Sequence, residues 1–111
     1  MSPQDLKIGS AYYRVTYAAP NLTIPGVDPM IYVGTNIAED DDPTAVIYYF
    51  QDTISYFWRG AVTDQAHRSK HPDIDVAVFP HTEHEVQRGV FTIDEVVFAV
   101  TKARDRERGS G

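Results

Sequence analysis

The side chains best suited to chemistry are the four histidines, and all fall in one stretch: His67, His71, His81 and His84, with Glu83 and Glu85 beside the last pair. Imidazole together with carboxylate suits zinc, iron or nickel. His67 and His71 would share a face if a helix over residues 63–70 ran on to them both, and His81 and His84 have a ligand-like spacing. The pattern is incomplete. Pro72 turns His71 away from helical geometry. His84-Glu85-Val86-Gln87-Arg88 approaches the two-histidine motif of zinc peptidases, but Arg88 stands where the second histidine is needed. A polar surface loop accounts for these residues better. No metal and no cofactor is assigned, and a small His-rich metal-dependent enzyme or sensor is the alternative to the function read below.

Other catalytic patterns are missing from the chain. It has no Gly-x-Ser-x-Gly elbow, no phosphate-cradling glycine loop and no dinucleotide fingerprint. It has no cysteine, which removes disulfides, zinc–thiolate sites, iron–sulfur clusters and thiol catalysis together. Of the serines, Ser2 and Ser110 lie near the ends, and Ser55, flanked by aromatics, reads as a packing position. Sixteen acidic residues leave a carboxylate pair open, but none is singled out by spacing. No catalytic residue is assigned, and the chain is expected not to be an enzyme.

The second chemical feature is aromatic. Seven tyrosines are many for a core of this size, and a buried tyrosine needs a partner for its hydroxyl, so several should sit at a boundary. Six aromatics crowd into Thr44–Gly60: Tyr48, Tyr49, Phe50, Tyr56, Phe57 and Trp58. Tyrosine, tryptophan and arginine anchor interfaces. Tyr48, Tyr56, Trp58 and Arg59 are therefore the candidate binding residues, with Arg59 able to add a cation–π contact. The competing reading makes most of these rings the core of a small sheet.

Charge narrows the partner. The net charge is −6, and four of the ten basic residues (Lys102, Arg104, Arg106 and Arg108) stand in the last ten positions. Residues 1–101 thus hold six bases against fourteen acids. Such a body repels phosphate backbones, so no nucleic-acid partner is expected. A basic protein or peptide is allowed, as is a second copy of the chain. The four adjacent carboxylates Glu39-Asp40-Asp41-Asp42 lack the alternating spacing of a calcium loop and read as a solvated hairpin tip. No apolar run approaches the roughly 20 residues of a membrane span, and residues 1–10 lack the basic and apolar regions of a secretory signal. A cytoplasmic setting without membrane contact is expected.

The elements that must position these groups read mainly as strands. After a loose start over Met1–Asp5, Tyr13, Val15 and Tyr17 alternate with Arg14 and Thr16. Ala19–Pro29 holds three prolines and reads as a long loop. Met30–Thr35 is a second strand, in which Gly34 marks a bulge or a close approach. Ala45–Phe50 and Ile54–Trp58 read as the two strands of a central hairpin joined by Gln51-Asp52-Thr53. A short helix over Thr63–Lys70 and a strand over Ile74–Phe79, broken by Pro80, come next. An edge strand is expected at Glu85–Phe91. Thr92-Ile93-Asp94-Glu95 spells a capping box, and Ile93, Val96, Val97 and Val100 follow at helical spacing, although their β-branching would also suit a strand.

The start, Leu-x-x-Gly-x-x-Tyr-Tyr-x-Val, followed by an Ile-Tyr-Val-Gly strand, is similar to the openings of small SH3-like barrels. The resemblance implies a fold and nothing about activity. The fold expected is α+β and mainly β: a small, strongly bent antiparallel sheet or SH3-like barrel of five to six strands with a C-terminal helix. One domain should span residues 1–105, with residues 106–111 a disordered tail. The function expected is that of a non-catalytic protein-interaction module.

Overall fold

The structure is a computed structural model that describes residues 1–17, 25–39 and 41–110. The first half of the proline-rich stretch Ala19–Pro29 and Asp40 of the acidic run lie outside the described residues.

Strands β1 (Ala11–Tyr17), β2 (Pro25–Thr35), β3 (Tyr48–Asp52), β4 (Val78–His81) and β5 (Val90–Phe91) form one antiparallel sheet in the order β4-β3-β2-β1-β5. Helices α1 (Thr53–Arg59), α2 (Glu83–Gly89) and α3 (Ile93–Ser110) complete an α+β fold with a C-terminal helix. The sheet ends at β4 and β5 and does not close into a barrel.

Strand alternation divides the side chains between two faces. Tyr12, Met30, Tyr32 and Phe50 lie on one face and form the core cluster with Val86 of α2 and Val90 of β5. The Phe50 ring meets Tyr32 at 5.4 Å and the edge of His81 at 5.1 Å between centroids. Met1, Leu6, Tyr48 and Phe79 pack around this cluster. The N-terminal segment is thus not loose: residues Pro3–Asp5 make a 3₁₀ turn, and the Tyr12 hydroxyl accepts from the Lys7 amide. α3 lies along β1, β2 and β5, with Val96 and Ala103 buried.

The expected bulge is present, since the β2–β3 register shifts between Tyr32 and Gly34, where φ is +140°. Several other expectations are corrected. Pro25–Pro29 belongs to β2 rather than to a loop. Before Met30, β2 pairs with β1 alone among the described residues, so Pro29 turns its missing N–H toward the side that β3 does not reach. Pro80 likewise sits within β4, paired with Tyr49, because β4 is an edge strand. The ladder begins only at Val78: just upstream the Ala77 carbonyl accepts the Asp52 backbone amide, but the Ala77 amide goes to the Asp52 carboxylate and Arg59 takes the Ile74 carbonyl, so side chains take over from the strand partner.

The central hairpin is not formed. β3 is followed directly by α1, because Asp52 ends the strand as an N-cap whose carboxylate accepts the Ser55 amide at 2.8 Å. The expected helix at Thr63–Lys70 shrinks to a 3₁₀ turn over His67–Ser69, since Asp64 binds the Ala66 amide two residues on and closes a tight turn instead. Of the edge strand expected at Glu85–Phe91 only Val90–Phe91 forms, as β5 at the sheet edge; α2 fills the rest, opened by a capping box between Thr82 and Glu85. The Thr92–Glu95 capping box is observed and opens α3. That helix continues through Arg106 to Ser110.

Candidate interaction surface

The four histidines serve four separate places. His67 is buried, with Nδ1 2.9 Å from the Gly60 carbonyl. His71 has a positive φ of 45° and sets its ring edge-on to Trp58. His81 is buried against Phe50, and His84 is exposed on α2. Among the described residues no three His, Asp or Glu side chains gather as metal ligands.

Below α1 lies a satisfied polar network. Gln51, fully buried, donates from Nε2 to Ser55 Oγ and to the Gly60 carbonyl, both at 3.0 Å, and accepts the Val62 amide at 2.9 Å. The Ser55 hydroxyl donates to the Asp52 carboxylate, which also accepts the Ala77 amide at 2.9 Å. Burial acts to raise the Asp52 pKa, but the hydrogen bonds from Ser55 and the Ala77 amide outweigh it and hold it below the usual carboxylate value. Ser55 is fully buried, so its oxygen is out of reach of any substrate. Gly60 closes the helix with φ +77°, a conformation that favours glycine.

This network fixes which face of α1 is presented. Ser55 points in. Tyr56, half-buried, reaches Gly9, where an added Cβ would stand 3.3 Å from its hydroxyl. Arg59 donates to the His67 carbonyl at 3.3 Å and to the Ile74 carbonyl at 3.0 Å, which straps the 61–77 segment to the helix. On the opposite side Ile54 is 64%, Phe57 78% and Trp58 48% exposed. Phe57 and Trp58 stack edge to face at 5.2 Å.

The predicted binding residues are thus divided. Trp58 stands on the outer face of α1, while Tyr56 and Arg59 leave the same helix inward. Tyr48 sits at the far end of β3, beside Thr35 and His81, with its ring against Tyr32. The sequence reading missed Ile54 and Phe57 as surface residues because a strand would have placed them on alternating faces. The available signal was the N-cap spacing Asp52-x-x-Ser55.

Acidic groups rim the exposed apolar face. Asp73 and Asp75, both exposed, line one groove with Ile54, Ile74 and Val76. On the other side of Ile54 a cleft of about 270 Å³ is lined by Arg14, Asp28, Met30, Thr53 and Phe79. Arg14 there lies 5.7 Å from the centre of the Phe79 ring and pairs with Asp28 at 3.7 Å. Comparison with protein-family models, curated proteins and solved structures finds no match for this chain.

Proposed function

We propose that the chain is a cytoplasmic, non-catalytic protein-interaction module whose binding surface is the outer face of α1. The observation that carries this reading is the exposure of Ile54, Phe57 and Trp58 together on one short helix pinned from beneath by buried hydrogen bonds. Scattered surface apolars are ordinary, but a contiguous aromatic patch on a rigid support is what a partner contacts. Tryptophan and phenylalanine supply large contact areas with few rotors to freeze. Asp73 and Asp75 select the partner by charge: a basic amphipathic segment sets apolar side chains on Phe57 and Trp58 and its lysines or arginines against the rim. The acidic body disfavours nucleic acid by the same rule. Tyr56 and Arg59 support the surface from below, and Tyr48 serves the core.

The test is calorimetric titration with an amphipathic helical peptide of leucine and lysine, and with its leucine–glutamate counterpart. The Lys peptide should bind with a negative heat-capacity change, the mark of apolar burial. Phe57→Ala should weaken binding by roughly tenfold, about 1.4 kcal/mol, and His84→Ala should leave it unchanged. Equal binding of both peptides, or a loss on His84→Ala matching that on Phe57→Ala, would contradict the assignment.

A further inference from the structure

α3 carries two apolar stripes. Val96 and Ala103, with half-buried Ala99, hold it to the sheet. Ile93, Val97 and Val100 face solvent, at 55%, 59% and 39% exposure. The outward stripe lies about 90° around the helix from the buried one, at ~100° per residue. Its steps of four and three residues extend by four more to Arg104, the spacing of a coiled-coil seam.

Two further features say what covers it. Every residue from Arg104 to Gly109 is exposed, so the last turns of α3 project from the body. The radius of gyration, 16.0 Å, exceeds the ~13 Å of a compact chain of this length. The charges along the stripe are also self-complementary. Asp94 flanks its start and Arg104 occupies its end. Two such helices side by side and parallel would oppose Arg104 to Arg104 and Asp94 to Asp94. Antiparallel, they seat Val97 against Val100 of the second copy, lay the Arg104 stem along Ile93 and bring its guanidinium to Asp94. The present partner of Arg104 is Asp105 at 3.5 Å, an exposed pair on the same helix that is readily exchanged.

We infer that the chain forms a two-fold dimer through an antiparallel pairing of α3 with α3 of a second copy, seamed by Ile93, Val97 and Val100 and bracketed by Asp94–Arg104 pairs. This surface is separate from α1, so its failure leaves the α1 proposal standing.

Light scattering across a concentration series tests it. The mass should rise from 12.5 kDa toward twice that value. Val97→Asp should remain monomeric with an unchanged far-ultraviolet circular dichroism spectrum, since Val97 is exposed in the single chain. Asp94→Arg and Arg104→Asp should each weaken the dimer by roughly tenfold, and the double swap should restore it. Because the chain has no cysteine, introduced ones report orientation cleanly. Ile93→Cys mixed with Arg104→Cys should cross-link. Ile93→Cys alone should not, its two copies lying about 16 Å apart along the axis, beyond the roughly 7 Å Cα reach of a disulfide. A mass of one chain at every concentration, a dimer indifferent to Val97→Asp, or self-cross-linking of Ile93→Cys would overturn the inference.

Discussion

Asp52 shows how one side chain decides the local structure. It is the last residue of β3, the N-cap of α1 and the acceptor for Ala77 from across the sheet edge. Removing its carboxylate would leave the first turn of α1 uncapped and the Ala77 amide without its partner. Asp52→Ala is therefore expected to cost about 2–4 kcal/mol, read as a denaturation midpoint lower at unchanged slope. The same residue predicts a pH dependence. Its folded pKa lies below its unfolded value, so in the acid range the unfolded chain binds the extra proton. Its contribution is fully present above the ordinary carboxylate pKa near 4 and is lost as the pH falls through the depressed folded value. Melting temperatures from pH 6 down to pH 2 should drop less steeply for Asp52→Asn than for the natural chain. The residue scale is also where the sequence was least legible. Serine, histidine, aspartate and glutamine gather below α1, yet their spacing hides it, because backbone groups of Gly60, Val62 and Ala77 complete the network.

At the scale of elements, local capping outweighed strand propensity. Ile54-Ser55-Tyr56-Phe57-Trp58 is the most strand-like composition in the chain, and it forms a helix. β-propensity expresses packing on a pleated surface rather than a fixed backbone preference. Here the cap and the buried Gln51–Ser55 bond left the large rings outside. The two capping boxes make the complementary point. Thr92–Glu95 was legible because apolar residues at helical spacing follow it. Thr82–Glu85 carries the same letters, but its helix ends after seven residues and buries only Val86, too little for a periodicity to register. Thr82→Ala should cost about 1 kcal/mol and lower the melting temperature by several degrees. Thr82→Ser should recover most of the loss, which separates the cap from packing of the threonine methyl.

For the whole molecule, the sequence conveyed the class and not the closure. An α+β fold with an antiparallel sheet and a C-terminal helix followed from alternation and from the Thr92 box. The open strand order did not, because which strands meet depends on the crossing of α2 and the pairing of β5 with β1, both distant in sequence. No helix among the described residues is long and apolar enough to cross a membrane. The apolar surface is uneven at this scale: large exposed side chains concentrate on α1 and α3 while the core cluster is small. Acidic rim and apolar patch stand together at α1, so binding there should weaken with salt but not vanish, the apolar part being unscreened.

The chain contains one tryptophan, and it stands in the proposed surface. Trp58 emission followed during titration with the leucine–lysine peptide therefore reports on the central claim without a label. The account predicts a shift to shorter wavelength as Trp58 leaves water, abolished by Phe57→Asp and moved to higher peptide concentration by added salt. Tight binding of the peptide with no change in Trp58 emission would place the interaction elsewhere on the molecule and contradict the account.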